Sequence, residues 1–235
     1  MNPLQDFAAL SVLDGVAVFC LWAAWFGIGW WIEHPGSKRP SVTVLMVAYR
    51  HDWMREMVTR DPRIFDAQIL GNLRQGTAFY ASTSVLALGG VLALIGNSEV
   101  LLNVAEDISL ASHPELIWRA KLMVVALFLL NSFLKFVWAN RLFGYCAVVM
   151  ASVPNDVAHP RAYPRATKAA ALNVRAAWNF NRGLRSVYFA LGSLAWLLGP
   201  IALLMATAVT LWTVWEREFA SKPRDIILGE EPEDP

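Results

Sequence analysis

An all-α integral membrane protein is predicted, a four-helix bundle whose helices extend into a short cytoplasmic stalk, and three observations predict it. Hydrophobic residues make up 56% of the 235 and charged residues only 17%, where soluble domains carry about 25% charged residues. Mean hydropathy is +0.41. The apolar residues gather into four long runs rather than spreading through the chain, and a bilayer core of about 30 Å needs roughly 20 of them per helix. The whole chain, 1–235, therefore reads as a single polytopic domain without internal repeats.

The first span is Val12–Ile32, interrupted by Asp14 near its start. Ser11 precedes Asp14 at the spacing of a capping box; alternatively the carboxylate pairs with a cation or relays protons. The second span, Gly76–Gly96, carries Thr77, Ser82, Thr83 and Ser84 in its first third. These hydroxyls suit a water path or helix–helix hydrogen bonds. The third, Ile117–Val137, requires Arg119 and Lys121 to snorkel at one end and Lys135 at the other. The fourth, Val187–Trp215, contains Gly199-Pro200, and Pro200 marks a candidate kink because it leaves the carbonyl of Trp196 without its helical donor. Gly89 and Ala93, like Ala195 and Gly199, are small residues four apart that permit close helix contact.

Between the spans, 33–75 and 138–186 read as helical segments. Val42–Thr59 is amphipathic, and a new helix follows Asp61-Pro62 and runs without a breaker into the second span. The third span continues through Leu142–Val153. Pro154, His159-Pro160 and Pro164 mark the clearest loop, and a further helix starts near Arg165. Lysine and arginine set the orientation. Seven lie in each of these two segments, whereas the N-terminus and Asn97–Trp118 hold none. Positive segments stay cytoplasmic, so both termini are expected outside, including the acidic tail 216–235. This is the topology of a bacterial inner-membrane protein. Trp30, Trp31, Trp118, Trp212 and Trp215 stand where aromatic belts form.

Candidate functional residues fall into two groups. Lys135 and Asn131 lie one turn apart in the third span and, with Ser82, Thr83 and Asp14, are the candidate pore or polar intramembrane residues, since charge in a bilayer marks function or a partner. Possible partners for Lys135 are Asp66 and the second-span hydroxyls. Lys168, Arg175 and Arg182 recur every seven residues on one helical face, with Arg185 just beyond. They suit either anions in a pore or anionic lipid head groups. Cys20 and Cys146 are expected to pack, and the four histidines lie outside the spans, which disfavours a haem held between helices. No catalytic, metal or cofactor motif is present, and topology accounts for the arginines without nucleic acid. Neither a cofactor nor an enzymatic activity is expected.

Several strings resemble an uncharacterised membrane family of bacteria and plants, the domain-of-unknown-function family numbered five hundred and ninety-nine. They are Tyr49-Arg50-His51-Asp52-Trp53-Met54, Asp66-Ala67, Gly76-Thr77-Ala78-Phe79-Tyr80-Ala81-Ser82-Thr83, Lys135-Phe136-Val137-Trp138 with Asn140-Arg141-Leu142-Phe143-Gly144-Tyr145, and Asn179-Phe180-Asn181-Arg182-Gly183-Leu184-Arg185. The resemblance covers most of the chain and implies a multi-spanning membrane protein, with no activity attached. Three functions stay open. They are a homo-oligomeric, channel-like or transporter-like protein favouring anions, an accessory or scaffold subunit of a larger membrane complex, and a lipid-acting enzyme using Asp14, Lys135 or Asp66.

Overall fold

The computed structural model describes residues 10–36, 39–97 and 115–229, and all its regular structure is helical. Expectations that rest on 1–9, on 98–114, on Lys38 and on the acidic residues Glu230, Glu231, Glu233 and Asp234 lie outside the described residues. The helices are α1 (Val12–Glu33), α2 (Val42–Glu56), α3 (Ile64–Gly96), α4 (Glu115–Ala151), α5 (Ala162–Ser193), α6 (Pro200–Phe219) and α7 (Lys222–Leu228). Short 3₁₀ turns follow α2 at Met57–Thr59 and α5 at Leu194–Leu198.

Helix ends follow local chemistry. Ser41 caps α2: its Oγ accepts the Val44 N–H at 3.3 Å and donates to the Ile32 carbonyl at 2.7 Å. That single hydroxyl serves orphan groups of two helices. At the end of α4, the Arg63 guanidinium donates to the carbonyls of Val153 (2.6 Å) and Pro154 (2.8 Å), and Arg165 donates to that of Ser152. α3 and α4 have 33 and 37 residues, so at about 1.5 Å per residue both exceed the ~30 Å bilayer core. The expectation of helices extending beyond the spans is met.

Among the described residues three helices are long and apolar enough to cross a membrane: Val12–Glu33, Ile64–Gly96 and Glu115–Ala151. The expected fourth span, Val187–Trp215, is not one helix, and this corrects the four-span reading. α5 ends at Ser193, tightens to 3₁₀, and stops at Gly199, whose φ of 123° suits glycine alone. Pro200 then opens α6, where a missing N–H costs nothing. The candidate kink is thus a complete break, and the Trp196 carbonyl accepts the Gly199 N–H at 3.0 Å.

Packing divides the chain into two compact units: 1–29, 82–134 and 183–214, and then 30–81, 135–182 and 215–235. The first has an aromatic core in which Trp22 stacks on Phe128 at 4.6 Å and Phe128 meets Phe189 at 6.1 Å. Ser84 and Ser132 share a buried hydrogen bond of 3.1 Å there. The second buries Met54, Met57, Leu70, Phe143, Cys146 and Met150 against the alanine face of α5, including Ala162, Ala166, Ala169 and Ala170. Small residues on that face let α5 approach closely.

The path of the last apolar segment follows from contacts within these units. In the second unit, Arg182 is bonded to Glu33 at the end of α1, and Phe219 packs on Trp31 at 5.1 Å. In the first, Trp196 is bonded to Asp14 at the start of α1. Within the first unit Gly192 of α5 faces Thr210 of α6, where a Cβ on the glycine would stand 2.8 Å from Thr210 Oγ1, so α5 and α6 form a helical hairpin turning at Gly199-Pro200. α7 then rests on α2: Arg224 Nε donates to the Pro40 carbonyl at 3.1 Å and Tyr49 Oη to that of Ile227 at 3.4 Å.

Candidate functional site

The charged groups of the apolar helices are held rather than free. In the first unit, Asp14 forms the expected capping box, with Ser11 N–H and Oγ donating to Oδ2 at 3.1 and 2.6 Å. Its other oxygen accepts the Trp196 Nε1–H at 2.7 Å. Lys121 is only 3% exposed, so it does not snorkel. Its ammonium lies 4.9 Å from the Trp118 ring and 5.9 Å from that of Trp196, within the field of Asp14. Trp118 itself is buried and takes no place in an aromatic belt. The 3₁₀ turn thus delivers one indole to both a carboxylate and a cation.

In the second unit, Arg182 grips Glu33 with two parallel bonds, Nε to Oε1 at 2.8 Å and Nη2 to Oε2 at 2.6 Å. This bidentate pairing is the strong form of the interaction; those hydrogen bonds hold the Arg182 guanidinium charged above its usual range. Lys135 is half-buried within the fields of Arg182 and Glu33, so its electrostatic partner is neither Asp66 nor a second-span hydroxyl. Asp66 is fully buried and accepts from Trp53 Nε1 at 2.7 Å and from Arg60.

The remaining candidates separate. Asn131 donates to Ser186 Oγ at 2.6 Å, a bond between helices. Ser82 and Thr83 lie on the exposed side of α3, and Ser84 turns inward in their place. The stripe on α5 divides as well. Lys168 and Arg175 are exposed, Arg182 is committed to Glu33, and Arg185 is buried over Gly29.

Two cavities lie in the second unit. One, of about 450 Å³, is lined by His51, Asp52, Arg55, Tyr163, Ala166 and Thr167, and the first three are exposed. The other, of about 340 Å³, lies among α2, α5 and α6 and is lined by residues including Thr43, Arg50, Trp178, Asn181, Arg217 and Glu218. Both volumes fall within the ~300–1,000 Å³ typical of ligand sites. Arg50 donates to Asn173, which is fully buried. Burial pulls the Arg50 guanidinium below its ordinary range, opposed by the nearby Cys146. Glu218 accepts the Thr43 N–H at 3.0 Å and Oγ1–H at 2.9 Å, and Asn181 donates to the same hydroxyl at 3.1 Å.

Sequence reasoning missed Arg50, Arg217 and Lys121. Arg50 was visible as one of the basic residues of the amphipathic segment Val42–Thr59 and as a member of the string Tyr49–Met54, but not as a site residue. Among the described residues no group of three or more His, Cys, Asp or Glu could hold a metal ion.

Long apolar helices, inward charges held by partners and lipid-length spans define a helical membrane protein. Residues 16–223 match the model of the family described as "Protein of unknown function, DUF599", and the chain belongs to that family. No curated protein matches the chain, and no solved structure does.

Proposed function

We propose that this protein is a channel-like or transporter-like membrane protein that favours anions and works as a homo-oligomer. The observation that carries the reading is the charge on the helices of the bundle. α1, α4 and α5 hold Lys121, Lys135, Arg182 and Arg185 against Asp14 and Glu33. A positive surplus at low-dielectric positions attracts anions and repels cations. The break between α5 and α6 supports the same reading, because discontinuous helices build binding sites in transporters.

The basic segments belong in the cytoplasm of a bacterial cell by the positive-inside rule. In this reading the last apolar segment enters the bilayer as a hairpin, so the C-terminal end shares the side of α2, against which α7 packs. Association follows from α3, whose apolar window is 6% buried and presents Ser82, Thr83 and Gly89 outward. The same open helix favours the second reading, an accessory subunit that binds a foreign membrane partner there. We assign no enzymatic role, because Asp14 and Asp66, the acids such a role would use, are held by hydrogen bonds to Ser11 and Trp196 and to Trp53 and Arg60.

The test is flux from proteoliposomes of purified protein, loaded in turn with chloride, nitrate and phosphate. Anion efflux above that of empty vesicles, with potassium retained, is expected. Absence of flux for all three, together with recovery in fixed ratio with a foreign subunit, would turn the assignment to the accessory role.

A further inference from the structure

We propose that the 340 Å³ cavity among α2, α5 and α6 is a binding site for a phosphate-type oxyanion, with Arg50 as its principal ligand. The proposal deepens the anion-favouring reading above and rests on it for the choice of charge.

Arg50 is the feature that asks for a ligand. Its guanidinium has five N–H donors in a planar fork. Among the described residues one goes to Asn173, and no carboxylate is within ion-pairing distance of the group. A half-buried cation without a counter-charge is costly, and the cavity it lines has room for an anion. Arg217 lines the same cavity from α6, so two guanidinium groups border the space from different helices. A tetrahedral oxyanion, with acceptors in several directions, suits that arrangement better than a flat carboxylate met by one fork.

The rest of the wall agrees with an anionic guest. Trp178 lines the cavity, and its Nε1–H is buried and has no acceptor. Glu218, the one acid in the lining, has each oxygen hydrogen-bonded by Thr43 and is not ion-paired with Arg50. The neighbouring larger cavity lacks these features, since its His51, Asp52 and Arg55 are exposed. The phosphoryl group could belong to a free small molecule or to a lipid head group, because the chemistry of recognition is the same.

The experiment uses the full chain in nanodiscs of zwitterionic lipid. Inorganic phosphate is titrated by calorimetry, with chloride at matched ionic strength as the control. Parallel native mass spectrometry reads retained phosphatidylglycerol after purification from vesicles that contain it. Wild type is expected to bind one of the two. Arg50→Gln should weaken that binding at least tenfold, and Arg217→Gln and Trp178→Phe several-fold. Phosphate binding lost in Arg50→Gln assigns a free anion, and retained lipid lost in Arg50→Gln assigns a head group. If Arg50→Gln fails to fold, the Arg217 and Trp178 variants carry the comparison. Equal affinity in wild type and variants, or binding of neither probe by wild type, overturns the site. Anion flux measured on the same preparations separates the two claims. Flux without binding sinks the cavity alone, and binding without flux sinks the channel reading alone.

Discussion

Gly192 offers a direct check on how closely the hairpin closes. A Cβ at this position would stand 2.8 Å from Thr210 Oγ1 on α6, about 0.6 Å inside the 3.4 Å where ordinary contact begins. Overpacking of that kind costs about 1–3 kcal/mol. Replacing glycine by alanine in a helix returns up to about 1 kcal/mol. Gly192→Ala is therefore expected to destabilise by about 1 kcal/mol. Thr210→Ala removes the obstructing oxygen, and the next neighbour, the Ala206 carbonyl, lies at a comfortable 3.8 Å. In that background Gly192→Ala should become neutral or stabilising by up to about 1 kcal/mol. A four-member cycle of unfolding midpoints in detergent, followed by circular dichroism, reads the coupling, expected near 2 kcal/mol. Additivity within about 0.5 kcal/mol would show that α5 and α6 do not meet at these residues, and the hairpin geometry would be wrong.

Three further outcomes are expected. Glu33→Gln breaks the bidentate pair with Arg182; a buried pair would lose about 3–5 kcal/mol, and the 35% exposure of the arginine side chain lowers the expectation to about 1–3 kcal/mol, read by the same unfolding assay. Asp66→Ala strands the Trp53 indole N–H and the Arg60 guanidinium, at about 1–3 kcal/mol, whereas Asp66→Asn keeps one acceptor and should cost less. Gly199→Ala forces a side chain onto a φ of 123°, destabilising by about 1–2 kcal/mol; unchanged stability would mean that the turn relaxes.

The long helices were legible because membrane solvation writes itself locally, in uninterrupted apolar runs and in where lysine and arginine are tolerated. α1, α3 and α4 could be traced that way, as could the continuation of α4 to Ala151 and the amphipathic character of α5. The hairpin was not legible for a specific reason. A glycine followed by proline is compatible with a bent helix or with a reversal, and the approach of Gly192 to Thr210 across the turn distinguishes them. The site residues were harder still. Arg50 and Asn173 are 123 positions apart, Glu33 and Arg182 149, and Thr43 and Glu218 175. No periodicity spans such distances. Lys121 misled because a lysine near a helix end ordinarily reaches for water, and here two indoles enclose it instead.

The arginine clamps at the end of α4 have a practical consequence for handling this protein. Arg63 and Arg165 hold the carbonyls of Ser152, Val153 and Pro154, so the stretch Asn155–Ala158 is exposed yet anchored at its base. Lengthening such a loop costs only about 0.6 kcal/mol per doubling. A peptide epitope spliced between Val157 and Ala158 would leave the helix ends where they are. It would then serve as a reporter of the membrane side on which the segment lies, in cells that make the protein at native levels.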